Sequence, residues 1–384
     1  MASTQISHDN APSGLILLHK QPGITSFDAL RDIKRMLGTG KVGHTGTLDK
    51  FAEGLLLALA GRALKLSRWF THLDKQYEGV ICFGAETDTL DPEGAVIAEA
   101  PLPSREAVEA ALTRFCGAIE QAPPAYSAIH IDGKRASALA RRGEIPQMQK
   151  RQVTIYRLEL LSWQPPLAKI FVHCSSGTYI RSLARDIALA AGSRAHLVGL
   201  IRAKVGGFEL EESVLLGTGD QGSGVRVIGG KSPPSLQSAY GGLPLPPSAG
   251  VPENKHSVKL CALDESGTAR AQEIAPVCDK GGFALARPAG DTPATPPYFN
   301  PPIPDPRYPI PINKTIFEKL NIPSIDISPA DAAKIRNGKP LGQILDNAPF
   351  MDETTAAFFS DDELIAIVEQ RNNKWNYGYV YAHN

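Results

Sequence analysis

The sequence predicts an α/β fold of the α+β type, with a mixed, largely antiparallel sheet flanked by helices and a small β-rich C-terminal domain. Strand-like and helix-like segments alternate up to residue 212, and several strand pairs are joined by short turns, which favours antiparallel pairing over a doubly wound parallel sheet. The composition then changes, since residues 217–250 are rich in Gly, Ser and Pro and residues 288–311 contain ten prolines. Ordered patterns return at residue 312, which indicates a second domain.

The first elements follow from local signals. Residues 14–19 (GLILLH) are typical of a short buried strand. After Thr25, apolar residues recur at helical spacing, and Gly38 can cap the helix at its C-terminus. These apolar residues are Phe27, Leu30, Ile33 and Leu37. The glycine-rich loop that comes next therefore follows a helix.

Later segments give further strands and helices. Periodicity predicts strands at residues 76–84, 152–163 and 168–175, and helices at residues 104–117 and 179–192. In the C-terminal part, Ser328 and Pro329 predict the start of a helix that ends at Gly338, and residues 363–370 and 375–383 predict two strands. The chain should thus comprise a disordered N-terminus (1–13), a main folded domain (14–212), a Pro/Gly-rich linker or insertion (213–311) and a small β-rich domain (312–384).

The bulk composition limits the location and the partners of the protein. The five cysteines are widely spaced and suggest neither a disulfide framework nor a zinc site, and no apolar run is long enough to cross a membrane, so we expect a cytoplasmic protein. The net charge is zero, but residues 130–209 carry thirteen Lys and Arg against five Asp and Glu. This surplus suggests a polyanionic partner, although a solvated helical face is an equal alternative.

The loop GTGKVGHTGTLDK (residues 38–50) contains the spacing G-x-G-x-x-G, which also occurs in dinucleotide-binding proteins. That fingerprint must follow a strand and open a helix, whereas this loop follows a helix, so nucleotide binding is disfavoured. The loop ends at Asp49. One interpretation is that Asp49 caps a helix over residues 51–70; the other is that the tight turn presents its carboxylate for covalent chemistry.

A cationic partner would keep such a carboxylate ionised. Arg181 is a candidate, because it lies where a β-rich run ends in Ser-Gly and a helix begins. Arg185 follows one turn later on the same face. The alternative is a surface pair of arginines.

Four ordered motifs resemble those of the TruB-type tRNA pseudouridine synthases. GHTGTLD (43–49) resembles the catalytic loop of this family, and KQYEGVICFGAETDTLDPEG (75–94) its tyrosine-bearing strand and turn. PPAYSAIHIDGKRASALARRG (123–143) is similar to its substrate-side segment, and CSSGTYIRSLARDI (174–187) to its arginine motif. Together the motifs span about half of the chain. The resemblance implies a pseudouridine-synthase-like catalytic domain and, more loosely, a PUA-like C-terminal domain that contacts RNA.

The resemblance implies an isomerase that detaches the base of a uridine, turns it and rejoins it through C5, with neither metal nor cofactor. By motif, Asp49 would be the nucleophile, Arg181 its ion-pair partner, and Tyr77 an aromatic that stacks on the base and assists proton removal. The resemblance also implies a set of substrate-binding residues: His44, which would fill the stack vacated by the flipped base, Tyr179, Leu200, Lys20, Lys65 and Asp91.

The implied partner is tRNA, contacted at the T-stem loop, and the implied target is the T-loop uridine, position 55 in tRNA numbering. No membrane and no obligatory protein partner are expected. Two alternatives remain open: a guide-RNA-dependent pseudouridine synthase that acts on other RNA, and an RNA-folding chaperone. The residues do not decide whether Asp49 attacks C1′ of the ribose or C6 of the base, since either needs the same carboxylate.

Overall fold

The computed structural model describes residues 12–131, 133–144, 147–217, 224–227, 259–263, 269–273, 308–341, 354–372 and 374–381. The disorder predicted for residues 1–13 lies outside these ranges except at residues 12 and 13, and most of the linker predicted at 213–311 lies outside them as well. The helices are α1 (Ser26–Leu37), α2 (Ser67–Thr71), α3 (Arg105–Thr113), α4 (Ala136–Ala140), α5 (Ile180–Ala190), α6 (Lys314–Lys319) and α7 (Pro329–Arg336), and 3-10 turns lie at Gly61–Leu66 and Leu210–Glu212.

The strands of the main sheet are β1 (Gly14–Lys20), β2 (Val42–His44), β3 (Glu53–Ala60), β4 (Lys75–Phe83), β7 (Gly117–Gln121), β10 (Arg151–Gln164), β11 (Leu167–Cys174), β12 (Ala195–Val205), β13 (Phe208–Glu209), β14 (Val214–Gly217), β15 (Gly224–Val227), β16 (Lys259–Leu263) and β17 (Ala269–Glu273). Two small hairpins are β5 (Ala85–Thr87) with β6 (Val96–Glu99), and β8 (His130–Ile131) with β9 (Lys134–Arg135). A C-terminal sheet contains β18 (Ser324–Asp326), β19 (Thr355–Ser360), β20 (Glu363–Arg371) and β21 (Lys374–Val380).

The main sheet is mixed and largely antiparallel, which confirms the predicted fold class. Its order is β15-β14-β1-β3-β12-β4-β11-β10-β16-β17. The neighbours of β4 and β10 run antiparallel, whereas β12 pairs in parallel with β3, and β14 with β1. Parts of the predicted linker therefore extend the two edges of the sheet as strands. Both predicted C-terminal strands are found, as β20 and β21.

Helix α1 begins and ends as its sequence predicts. The Thr25 hydroxyl accepts a hydrogen bond from the Asp28 amide at 3.1 Å, and Gly38 ends the helix with a left-handed φ of 61°. Leu30 and Ile33 are buried, but Phe27 is 70% exposed and lies 4.9 Å from the Lys34 ammonium. The helical spacing of apolar residues therefore predicted a wider buried face of α1 than the structure has, because it included Phe27.

The alternative of a helix over residues 51–70, capped by Asp49, is wrong. Residues 53–60 form β3, and every one of them is buried. A solvent-exposed helix needs a polar face, whereas a central strand is covered on both sides and takes a continuous apolar run. One face of β3 packs in a core with Ile16 and Leu18, and the other in a core with Leu15 and Phe70.

The C-terminal unit shares a core with the main domain. Phe317 and Phe359 stack edge-on at 5.5 Å and belong to the same buried cluster as Phe70 and Phe208. Among the cysteines, Cys116 is disulfide-bonded, although the wide spacing of the cysteines suggested no disulfide framework, and Cys174 is a buried free thiol. No helix in the described part of the chain is long and apolar enough to cross a membrane.

Gly54 gives a first testable prediction, since it lies where β3 pairs with Arg202 of β12. Its φ is 119°, and a β-carbon there would lie 2.4 Å from the carbonyl oxygen of Arg202. Gly54→Ala should therefore destabilise the protein by about 3 kcal/mol or more, because both the backbone conformation and the contact with β12 would be strained. Urea denaturation would measure the change. Gly40→Ala, with open space around it, is the control and should change stability by less than about 0.5 kcal/mol.

Candidate active site

Asp49 lies on a loop (45–52) that joins β2 to the central strand β3, and buried contacts fix this loop. The Ser26 hydroxyl donates to the Leu48 carbonyl at 3.0 Å and accepts from the Leu48 amide at 2.8 Å. The Thr45 amide donates to the Leu57 carbonyl at 3.0 Å. Helix α1 and strand β3 thus hold the part of the loop that leads to Asp49, and Asp49 has a defined position.

Arg181 lies in the first turn of α5 and pairs with Asp49 through two hydrogen bonds. Its Nε donates to Asp49 Oδ2 and its Nη2 to Asp49 Oδ1, each at 2.9 Å. Nη1 also donates to the Thr89 carbonyl at 2.7 Å and to Asp91 Oδ2 at 3.2 Å, and Nη2 to the Tyr126 carbonyl at 3.1 Å. These bonds use all five N–H donors of the guanidinium, so it is immobile and presents a fixed face to Asp49.

The carboxylate of Asp49 remains reachable. Arg181 is only 5% exposed in its side chain, whereas the side chain of Asp49 is 34% exposed. Burial raises the pKa of Asp49 above its ordinary value of 3.8, and Arg181 acts against this shift. The arginine therefore favours the ionised form while one edge of the carboxylate still faces solvent.

The exposed edge of Asp49 faces a cavity of about 270 Å³. Tyr77 on β4 and Leu200 on β12 are both buried and line it from neighbouring strands. Tyr179 lines it from the start of α5, and its backbone is anchored on the Gln121 amide group by bonds of 2.8 and 3.1 Å. With Tyr126, the cavity thus combines a carboxylate, three aromatic rings and an aliphatic wall, which suits a planar polar ring.

The other four residues implied by the motifs lie around the loop and at the junction with the C-terminal sheet. Asp91 is buried and contacts Arg181, so it acts on the site through the guanidinium. His44 ends β2, directly before the loop, and its Nδ1 is buried with no partner among the described residues. Like Asp91 and His44, the remaining two residues do not line the cavity. Lys20 donates from beneath the loop to the carbonyls of residues 21, 50 and 52 at 2.9, 3.3 and 2.7 Å, and Lys65 lies 5.7 Å from the Tyr379 ring.

The structure adds residues that the motifs did not single out. Arg202 on β12 and Lys75 on β4 bring positive charge to the cavity wall, and burial lowers the pKa of Lys75 to about 8. Ser127 is buried, and its hydroxyl has no hydrogen-bond partner among the described residues. In the sequence, Arg202 could have been noticed as a single arginine inside an apolar strand. Ser127 gives no such signal, apart from its place in the segment 123–143 that resembles the substrate-side segment of the family.

A basic segment lies next to the cavity. Tyr126 and Ser127 line the cavity, and the chain then continues into β8, β9 and α4. Six exposed bases follow in this part: Lys134, Arg135, Arg141, Arg142, Lys150 and Arg151.

Within the described ranges, no group of three or more His, Cys, Asp or Glu side chains is placed to hold a metal ion.

Comparison with known proteins gives a consistent assignment. Residues 34–180 match the family model of the TruB family pseudouridylate synthase, N terminal domain. Over 206 residues the chain is 46% identical to the tRNA pseudouridine synthase B of Borreliella burgdorferi (strain ZS7), covering 53% of this chain and 73% of the relative. Over 207 residues it is 48% identical to that of Bordetella avium (strain 197N), covering 53% of this chain and 85% of the relative.

One solved structure shares the fold over most of the chain. A crystal structure of a Cbf5-Nop10-Gar1 complex matches with a TM-score of 0.51 at 19% identity, covering 96% of this chain and 82% of the other. At this identity the likeness concerns the fold alone. The two curated relatives carry the family assignment, because the chain spans more than two thirds of each at above 40% identity. The chain belongs to the TruB family of pseudouridylate synthases.

Proposed function

We propose that this chain converts uridine to pseudouridine in tRNA, and that its target is the T-loop uridine at position 55. The observation that carries the proposal is the ion pair of Asp49 and Arg181 at the edge of a cavity lined by Tyr77, Tyr179 and Leu200. Both curated relatives reported above are named as tRNA pseudouridine synthases. We further propose that the reaction needs neither metal nor cofactor and takes place in the cytoplasm.

In the proposed reaction the Asp49 carboxylate attacks the target nucleoside, at C1′ or at C6. The bond between N1 of uracil and C1′ breaks, the base turns, and C5 bonds to C1′ in its place. The bond between Asp49 and the nucleoside breaks in the course of these steps, which returns the free carboxylate. The C5 proton leaves and a proton is taken up at N1, so atoms and electrons balance without an added reactant. Arg181 holds Asp49 in place and in its charged form during these steps.

The aromatic residues serve to hold the base outside its helix. Extruding a nucleotide costs a few kcal/mol in lost stacking, and stacking on aromatic side chains offsets this cost. Burial raises the pKa of Tyr77, so its phenol is neutral near pH 7 and suited to stacking on uracil. His44 would occupy the vacated position in the RNA, and the exposed bases between residues 134 and 151 would contact phosphates of the T stem.

The proposal is tested by purified protein and an unmodified tRNA transcript in buffer containing a chelator. We expect pseudouridine at position 55 and none in a transcript that carries cytidine there. Pseudouridine at other positions only would contradict the target. A requirement for an added guide RNA would favour the guided type of enzyme. Refolding of tRNA without any pseudouridine formation would favour a chaperone.

The pH dependence of the reaction follows from the raised pKa of Asp49. The carboxylate must be ionised to act, and burial holds its pKa above 3.8. As the pH is lowered, kcat/KM should therefore begin to fall at a pH above the pKa of an ordinary aspartate. Because the folded protein binds this proton more tightly than the unfolded chain, protonation of Asp49 does not itself favour unfolding as the pH falls. Circular dichroism at each pH separates the two effects, and an inflection below pH 3.8 would contradict the assignment.

A further inference from the structure

Arg202 is a buried cation for which the motifs give no role. It lies on β12 and is 3% exposed. Among the described residues its guanidinium donates to three backbone carbonyls and also interacts with the Tyr77 phenol, and it takes part in no ion pair with a carboxylate. A buried guanidinium without a carboxylate is costly unless several strong acceptors surround it. The elements that supply the acceptors of the Arg202 guanidinium therefore indicate the role of this residue.

Its three acceptors lie on two different elements. Nε donates to the Leu55 carbonyl of β3 at 2.7 Å. Nη2 donates to the Gly46 carbonyl at 3.1 Å, and Nη1 approaches the Thr47 carbonyl at 3.4 Å. Gly46 and Thr47 belong to the loop that carries Asp49. The guanidinium of this β12 residue thus ties the loop to the central strand β3.

The charge of Arg202 also acts on the wall of the cavity. Arg202 pairs with Tyr77 across β12 and β4, and both residues line the cavity. Burial raises the pKa of the Tyr77 phenol, and Arg202 is the strongest opposing influence. Arg202 likewise acts with burial to lower the pKa of Lys75. One cation therefore connects the loop of Asp49 with the residue proposed to stack on the base.

We propose that Arg202 is a positioning residue of the reaction: by holding the Gly46 and Thr47 carbonyls against β3, it fixes where Asp49 meets the uridine, and it places a positive charge beside the Tyr77 phenol. This inference rests on the proposed function. It differs from a purely structural role, in which Arg202 would stabilise the whole sheet. A positioning role predicts a local change in the loop and a loss of rate without a loss of binding.

The test uses Arg202→Lys and Arg202→Gln in the full chain, with Arg194→Lys as the control. Arg194 lies directly before β12 and bonds Glu86 at 2.8 Å, away from the loop. The measurements are the single-turnover rate at saturating tRNA, the Kd for tRNA, and amide hydrogen exchange by mass spectrometry. A displacement of about 1 Å at a reacting group costs on the order of a hundred-fold in rate. Both Arg202 variants should show such a loss, with Kd within about three-fold of wild type.

Exchange should become faster at residues 45–49, with β4 and the rest of β12 unchanged, and Arg194→Lys should resemble wild type in every measurement. Rates within about three-fold of wild type would overturn the proposal. So would faster exchange throughout the sheet, or failure of both variants to fold, because either places Arg202 in the core alone. If wild type makes no pseudouridine in tRNA, the proposed function fails, while the exchange measurement still tests the link between Arg202 and the loop.

Discussion

Asp49→Asn is expected to lower the rate of pseudouridine formation by at least about a thousand-fold while the protein remains folded. Asparagine has almost the same shape, and its amide oxygen can still accept a hydrogen bond from Arg181. Its amide is not a nucleophile, so no bond to the nucleoside can form. The rate is measured under single-turnover conditions as the release of tritium from tRNA whose uridines are labelled at C5, and binding is measured by filter retention of the same tRNA.

Asp186→Asn is the matched control for this change. Asp186 is another carboxylate on an arginine, since Arg185 donates to it at 2.8 Å, and burial raises its pKa as it does that of Asp49. It does not line the cavity. Its variant should stay within about three-fold of the wild-type rate. If Asp49→Asn also stayed within a few-fold, Asp49 would not be the nucleophile.

Local signals predicted the parts of the fold that depend on neighbouring residues. The start of α1 at Thr25 and its end at Gly38 follow from side-chain and backbone preferences within a few residues. The strands β20 and β21 follow from short β-rich runs around a turn. Strand β3 was ambiguous, because a short apolar run is compatible with a buried helix as well as a central strand. Only its burial on two sides by distant segments decides between them.

The site shows the same division between local and distant information. The motif resemblance drew attention to Asp49 and Arg181, which are 132 positions apart and bonded in the structure. It could not reveal Arg202, because a single arginine in a strand gives no indication that its guanidinium reaches the carbonyls of a loop more than 150 positions away. It also named Lys65 among the substrate residues, and the structure places the Lys65 ammonium 5.7 Å from the Tyr379 ring of the C-terminal sheet. Contacts between distant segments are set by the packing of the whole sheet.

Arg181→Met is expected to lower both activity and stability, because the Arg181 guanidinium bonds the carboxylates of both Asp49 and Asp91. Asp49 would lose both bonds that fix it, and the rate should fall by at least about a hundred-fold. Asp91, whose side chain is 10% exposed, would be left as a buried charge without its partner. Removing one partner of a buried ion pair costs about 3–5 kcal/mol, so the midpoint of urea denaturation should fall by a corresponding amount.

The double variant Arg181→Met/Asp91→Asn separates the two effects. Neutralising Asp91 removes the buried unpaired charge, so stability should recover in part, whereas activity should not recover because Asp49 still lacks its partner. Arg185→Met is the control one turn later, where a more exposed pair with Asp186 should contribute about 1 kcal/mol or less and leave the rate unchanged. If the double variant regained both stability and activity, the charge of Asp91 would be the only group that needs Arg181, and the ion pair with Asp49 would have no part in the reaction.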